Sequence, residues 1–314
     1  MNKKGAVPCG LLSAFLLLGG CVSLDPFLFN GEALDAYLLD AYTGSTECSD
    51  ALDSLAVWGY PSSASQYHPV TLPCGGSTLH ALLLSPTPQL ESSDTLLLYF
   101  HGNGPHIDYY WPRTRLLYAT GLPVLVIDYS GFGLSDGEAT EKRLYANAQT
   151  ALDHVRTQLG NPFVVVVGYS LGSMVATDLV YRNPGNSRIT GLFLETPFSS
   201  IQTIVSDGSY LDFPASYVTT FSGDNREKIA SITTPFLWMH GERDQTLGHE
   251  TNGIPLWQNY GGTDGYAILV AQGGHNNLPG VLGYQTYIAC VGAFARHSFN
   301  ENPLLQRGVI VTTP

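Results

Sequence analysis

Along most of its length the chain alternates short, unbroken apolar runs with longer stretches whose apolar residues recur at helical spacing. The runs are Leu96 to Phe100, Val124 to Asp128, Val164 to Gly168, Leu192 to Glu195, Phe236 to His240 and Tyr266 to Val270. A strand without polar alternation is one buried on both faces, as in a parallel sheet covered by helices. Between the runs, Glu141 to Gln158 and Leu171 to Tyr181 have the length and spacing of helices. Upstream, His68 to Leu72 and Thr78 to Leu84 read as strands joined by a tight turn at Cys74-Gly75-Gly76, which predicts an antiparallel hairpin at one sheet edge. Farther upstream, the spacing of Leu28, Leu34, Leu38 and Leu39 predicts a helix over Asp25 to Tyr42.

No internal repeat or Pro/Gly/Ser-rich linker divides the chain. The pattern therefore predicts one α/β domain over residues 67–300, preceded by an extension over 21–66 and followed by a tail over 301–314. The stretch between the fourth and fifth apolar runs, about 196–235, has room for a short cap of a few helices and not for a separate lid domain.

Residues 1–20 read as an export signal: Lys3 and Lys4 are followed by the mostly apolar Leu11 to Leu18 and by Gly19 and Gly20. The order Leu18-Gly19-Gly20-Cys21 resembles the lipobox of bacterial lipoproteins, although Gly19 replaces the commoner Ala or Ser. That resemblance implies cleavage before Cys21, a lipid on Cys21 and a membrane-anchored protein of the cell envelope. Ser23, where Asp would retain a lipoprotein in the inner membrane, implies the outer membrane of a Gram-negative cell. A secreted or periplasmic protein, or an uncleaved anchor, are the alternatives.

Composition narrows the partners. The chain is 44% hydrophobic and only 13% charged, the profile of a globular protein with a large core. Its formal charge is −12, and cleavage before Cys21 leaves 12 basic against 26 acidic side chains, hence −14. No basic cluster longer than Lys142-Arg143 is present, which disfavours nucleic acid as a partner. An acidic body is also repelled by an anionic bilayer, so a lipid and not surface charge would hold it there. Cys48, Cys74 and Cys290 remain after cleavage. In an oxidising compartment Cys48 can pair with Cys74, leaving Cys290 as a buried thiol, but three single pairings are open and the sequence does not rank them, and all three can also stay unpaired.

The chemistry gathers where the strands end, which is where open α/β sheets place their sites. Ser170 lies two residues beyond the Val-rich run and between Gly168 and Gly172. At a sharp strand-to-helix turn, neighbours two places on either side come too close for side chains, which explains both glycines. A serine hydroxyl needs a base to take its proton and a carboxylate to orient that base. Asp244 follows the run Phe236 to His240, and His275 follows the run Tyr266 to Val270, in the order Ser, Asp, His. The loop His101-Gly102-Asn103-Gly104 follows Leu96 to Phe100. Its Asn103 backbone N–H, together with that of Leu171, is the candidate oxyanion hole.

With these residues in view, the sequence resembles the α/β-hydrolase superfamily, specifically its compact ABHD and serine-aminopeptidase-type serine hydrolases. The resemblance spans about Tyr67 to Leu278 and rests on HGNG at 101–104, DYSGFGLSDG at 128–137, GYSLG at 168–172, ETPFSS at 195–200, HGERD at 240–244 and GGHNNL at 273–278. It implies the α/β-hydrolase fold, with a mostly parallel sheet, flanking helices and a short cap between strands 6 and 7. It also implies an acyl-enzyme mechanism on a small-molecule carboxylic ester or thioester, without cofactor. One departure stands out: the family commonly continues its Asp as D-x-x-V-P, and here the run is Asp244-Gln245-Thr246-Leu247-Gly248.

Other assignments compete. Glu195 is an alternative acid, and a peptidase or a non-catalytic lipid- or partner-binding lipoprotein are alternative functions. His101 and His240 fit structural hydrogen bonding, His106 and His249 fit the rim, and Asp128 and Asp136 fit bracing of the turn around Gly131 and Gly133. No metal-ligand spacing occurs. The aromatics Tyr109, Tyr110, Trp111, Phe132, Phe198, Tyr210, Phe213 and Tyr217 either line an acyl pocket or pack the cap onto the body.

Overall fold

The structure is a computed structural model that describes residues 29–58, 60, 66–208, 219 and 221–313. The signal, Cys21, and the cap aromatics Tyr210, Phe213 and Tyr217 lie outside the described residues. A single nine-stranded sheet runs through the body in the order β1-β2-β4-β3-β5-β6-β7-β8-β9. The hairpin is β1 (Tyr67–Cys74) and β2 (Ser77–Leu84), followed by β3 (Thr95–Phe100), β4 (Val124–Ile127), β5 (Phe163–Tyr169) and β6 (Ile189–Glu195). β7 (Phe236–Gly241), β8 (Gly265–Val270) and β9 (Ile310–Thr313) complete it. β1 and β2 are antiparallel, β2 runs antiparallel to β4, and every pairing from β4 through β9 is parallel. The hairpin therefore sits at one edge, as the Gly75-Gly76 turn predicts.

Two apolar cores lie on opposite faces of this sheet. Leu96, Leu98, Phe100, Val164 and Val166 point to one. Leu97, Tyr99, Val165 and Val167 point to the other. Alternate residues of one strand thus enter different cores, which is why the runs show no polar alternation. The helices are α1 (Asp50–Val57), α2 (Ile107–Tyr118), α3 (Glu141–Gln158), α4 (Leu171–Arg182), α5 (Ile201–Gly208), α6 (Asn225–Ile229), α7 (Gly253–Asn259), α8 (Leu278–Leu282) and α9 (Tyr284–Ala295). α3 and α4 cover the first core, and α2 and α9 the second. α3 starts where Thr140 caps it, the Thr140 hydroxyl accepting from the Arg143 N–H at 3.2 Å.

Two expectations are corrected. Within the described part of Asp25 to Tyr42 there is no α-helix, only a 3₁₀ turn at Leu39–Ala41 and a bridge between Ala33 and Gly133. The backbone groups there are taken by tertiary partners: Leu34 N–H donates to Gly133 O at 2.8 Å, and the Leu38 and Leu39 N–H groups donate to the Asp108 carboxylate at 2.9 and 2.8 Å. The tail is not wholly a tail, because Ile310–Thr313 pairs with β8 as β9. All three described cysteines are unpaired; Cys74 Sγ accepts from Thr150 and Asn147, and the Cys48 thiol faces Asn276 O.

The stretch between β6 and β7 contains α5 and α6. Glu141, at the start of α3, accepts from the Ser222 N–H at 2.8 Å and from the Gly223 N–H at 3.0 Å, which ties this stretch to the body. Burial raises the Glu141 carboxyl, but these hydrogen bonds outweigh it and hold the group below its usual range. Among the described residues no helix is long and apolar enough to cross a membrane.

Candidate active site

Parallel register brings the carboxyl ends of β3, β5, β6, β7 and β8 to one edge. Phe100 pairs with Gly168, Gly168 with Leu194, Tyr169 with Glu195, Glu195 with Met239, and Gly241 with Val270. The residues just beyond these pairs are therefore neighbours in space.

Ser170 stands between β5 and α4 with φ 50° and ψ −116°, a backbone that L-residues rarely adopt. Its flanking glycines have a steric reason. A Cβ on Gly172 would lie 1.9 Å from the Phe100 carbonyl oxygen, and one on Gly168 would lie 2.5 Å from the Gly172 carbonyl oxygen. The turn can close only without those side chains, and closing it lifts the Ser170 hydroxyl out of the sheet.

His275 Nε2 lies 2.9 Å from Ser170 Oγ, and His275 Nδ1 lies 2.8 Å from Asp244 Oδ2. A neutral imidazole with its proton on Nδ1 donates to Asp244 and accepts from the serine hydroxyl. The Asp244 side chain is 0% exposed and that of His275 12%. Burial pushes the Asp244 carboxyl up, but hydrogen bonds from His240 and His275 and from the Leu247 N–H outweigh it and hold the group far below the carboxylate range. The departure at Asp244-Gln245-Thr246-Leu247-Gly248 leaves the acid in place. Thr246 and Leu247 both donate backbone N–H groups to Asp244 Oδ1 at 2.8 Å.

His240 is buried beneath the acid. Trp238 Nε1 donates to its Nδ1 at 3.2 Å, so its proton is on Nε2, facing Leu247 O at 2.8 Å and Asp244 Oδ2 at 3.2 Å. His101 is buried beside Gly102, with Nδ1 2.9 Å from Gly102 O and Nε2 3.2 Å from Asp128 Oδ1. Asp128 braces more than its own turn, since Tyr37 OH also donates to it at 2.6 Å. Asp136 accepts from the Thr78 N–H at 3.1 Å. His106 departs from expectation: it is 3% exposed, packed edge-on against Tyr42, and not on the rim. His249 is half-buried.

Leu171 opens α4, and the first N–H groups of a helix have no partner within it. Asn103 lies in the loop after β3, where the Gly104 N–H donates to Tyr110 OH at 2.7 Å. Asn103 itself is gripped from the amino-terminal segment: the Asn30 N–H donates to Asn103 Oδ1 at 2.9 Å, and Asn30 Nδ2 donates to Asn103 O at 3.2 Å.

The alternative acid, Glu195, is engaged elsewhere. It accepts from Arg113 Nη1 at 2.5 Å and from Tyr287 OH at 2.7 Å. Arg113 is itself buried, with Nη2 donating to Glu47 at 3.2 Å and to the carbonyl of Asn276, next to His275, at 3.1 Å. Sequence reasoning did not find this cluster. The available signal was a pair of arginines, Arg113 and Arg115, in a helix whose other residues are mostly apolar or aromatic. Tyr110, Trp111, Phe132 and Phe198 are buried and pack the body. Tyr109 is half-buried and borders an open cleft of about 430 Å³ with Glu47, Asn276 and Tyr284. Among the described residues no group of three His, Cys, Asp or Glu side chains could hold a metal ion.

Comparison with known proteins agrees with this architecture. Residues 91–221 match the family described as serine aminopeptidase, S33. The chain is 32% identical over 179 residues to protein bem46 of Schizosaccharomyces pombe, covering 54% of this chain and 58% of bem46. It is 31% identical over 179 residues to the lysophosphatidylserine lipase ABHD12 of Macaca fascicularis, covering 50% of this chain and 44% of that one. The chain thus spans about half the length of the curated relatives it matches. Among solved structures, an α/β hydrolase from Vibrio vulnificus superposes with a TM-score of 0.59 at 20% identity, over 83% of this chain and 96% of that one. A cold-adapted esterase from an Arctic intertidal metagenomic library superposes with a TM-score of 0.55 at 19% identity, over 74% of this chain and 95% of that one. By sheet order, by the strand-to-helix elbow at Ser170 and by these likenesses, the chain has the α/β-hydrolase fold.

Proposed function

We propose that the protein is a serine hydrolase that cleaves a carboxylic ester or thioester through an acyl-enzyme. The observation that carries this reading is the continuous hydrogen-bonded series Ser170 Oγ, His275 and Asp244, at 2.9 and 2.8 Å, on a strained elbow. Ser170 Oγ attacks the acyl carbon while its proton passes to His275 Nε2, and Asp244 stabilises the imidazolium. The oxyanion is received by the backbone N–H groups of Asn103 and Leu171, each worth about 3 to 4 kcal/mol of transition-state stabilisation in such sites. As the intermediate collapses, the leaving oxygen or sulfur takes the proton from His275. Water, deprotonated by His275, then attacks the acyl carbon, and Ser170 leaves with its proton restored.

The ester class is taken from the esterase and the lysophosphatidylserine lipase among the likenesses; the serine aminopeptidase match keeps peptides as the competing substrate. Intact-mass analysis after fluorophosphonate treatment tests the mechanism. One adduct on the wild type and none on Ser170→Ala supports it, and no adduct on folded wild type overturns it in favour of a binding protein. Rates on matched ester and peptide substrates then separate the two activities.

The same proposal includes a lipid at Cys21 that anchors the protein in the cell envelope. The support is the run Leu18-Gly19-Gly20-Cys21 behind a basic and apolar segment. Cys21→Ser should move the protein from the membrane fraction to the soluble one; an unchanged distribution would refute the anchor.

A further inference from the structure

The segment from Asn30 to Asp50 spends its polar groups on elements around the site. Starting at its amino end, Asn30 makes its two hydrogen bonds to Asn103, and the Glu32 N–H donates to Pro105 O at 3.1 Å. Tyr37 reaches Asp128, which holds His101. Leu38 and Leu39 donate to Asp108, and Asp40 accepts from Trp111 Nε1 at 2.7 Å and from Arg115 Nη1 at 3.0 Å, all on α2. At its far end Glu47 meets Arg113, and the Cys48 thiol donates to Asn276 O at 3.6 Å. The segment therefore starts on the loop that carries Asn103 and finishes on the loop that carries His275.

Both loops need outside support. Asn103 lies between Gly102 and Gly104, the residue type that restrains a backbone least. His275 follows Gly273 and Gly274, and the peptides beside it are held from below: Tyr169 OH donates to His275 O at 3.3 Å, and Arg113 Nη2 donates to Asn276 O. Glu47 accepts from that same Nη2 while Glu195 accepts from Nη1, so Glu47 is the carboxylate that holds the nitrogen facing the His275 loop.

We propose that residues 30–50 form a strap that positions both arms of the catalytic apparatus, Asn30 fixing the oxyanion donor at Asn103 and Glu47, through Arg113, fixing the loop of His275. The proposal rests on the Ser170–His275 reading given above. Asn30 and Glu47 are positioning residues; neither touches Ser170. The Asn30 bonds are exposed to solvent, so they add little to stability, and what they change is geometry.

Full-length protein carrying Asn30→Ala, Glu47→Ala or Glu47→Gln is assayed on p-nitrophenyl butyrate, with fluorophosphonate labelling rates and thermal unfolding in parallel. Asn30→Ala removes the Nδ2 bond to Asn103 O and keeps the backbone bond to Asn103 Oδ1; losing the bond on the Asn103 peptide itself should lower kcat about tenfold, part of the loss seen when an oxyanion donor is removed outright, with KM within about twofold and an unchanged unfolding midpoint. Glu47→Ala should lower kcat by a similar factor, and Glu47→Gln, which keeps an acceptor for Arg113, should recover most of it. Wild-type kcat in both alanine variants, with a wild type that labels normally, overturns the strap while leaving the mechanism standing. A wild type that does not label overturns the mechanism and the strap together. Should Glu47→Ala fail to fold, Asn30→Ala decides alone.

Discussion

The guanidinium of Arg113 lies 3.9 Å from the centre of the Tyr169 ring, directly behind the residue that precedes Ser170. One buried cation thus touches the residue next to Ser170, the peptide next to His275, and two carboxylates from distant parts of the chain.

Removing that cation strands Glu195 and Glu47 in the interior. Arg113→Met should destabilise the protein by about 3 to 5 kcal/mol, the usual cost of breaking a buried pair from one side. Arg113→Met with Glu195→Gln should cost less than Arg113→Met alone. Urea unfolding of the wild type, Arg113→Met, Glu195→Gln and the double variant measures the difference, and a double variant as unstable as the sum of the two single ones would show that the pair is not coupled.

Gly172→Ala forces a methyl group to within 1.9 Å of the Phe100 carbonyl oxygen. The elbow must open, so labelling of Ser170 should be lost and stability should fall by roughly 4 kcal/mol or more, in the range reserved for core disruption. A folded Gly172→Ala protein that labels at the wild-type rate would contradict the steric account of the elbow.

Asp244→Asn replaces an acceptor with an amide that can donate to His275 and hold the wrong tautomer. Turnover should fall about 10³- to 10⁴-fold, as when the same change is made in other triads. The pH dependence of stability carries a second signature. The Asp244 carboxyl titrates below its ordinary 3.8 in the folded state, so its stabilisation is complete above that value and is lost as the pH falls through and below it. The difference in unfolding free energy between wild type and Asp244→Asn should therefore be constant from pH 7 to about 5 and shrink steadily toward pH 2.

Burial pushes the Cys290 thiol up to about 12, and no disulfide joins the three described cysteines. Folded protein at pH 8 should leave Cys290 unmodified by iodoacetamide. In denaturant without reductant, Cys48, Cys74 and Cys290 should all be alkylated; a mass showing only Cys290 modified would establish a Cys48–Cys74 bridge instead.

Strands β3 to β8 could be read from the chain because burial on both faces removes polar alternation from them. The Ser170, Asp244 and His275 candidates could be read because each follows a strand, and parallel register alone carries strand ends to one edge. What escaped depended on contacts between distant segments. The leucines at 34, 38 and 39 have helical spacing, yet their amides bond to Gly133 and Asp108, which no local pattern reveals. β9 is four residues long, partly exposed, and preceded by Gly308 and Val309, too short a run to separate from a tail. Arg113 gave no sign of its role because a buried charge is explained only by its partners, and those come from positions 47, 195 and 276.

The strap enters the described body at its working edge. Phe29 packs edge-on against Phe221, and the next residue grips Asn103. Seven residues lie between Cys21 and Phe29, eight steps along the chain, and an extended chain gains at most about 3.6 Å per step, so the leash is no longer than about 29 Å. A lipid at Cys21 would confine the mouth of the site to that distance from the bilayer. On the hydrolase activity proposed above, acyl groups carried by membrane lipids would then meet Ser170 at the high local concentration of a tethered reaction, while soluble esters would gain nothing from the anchor.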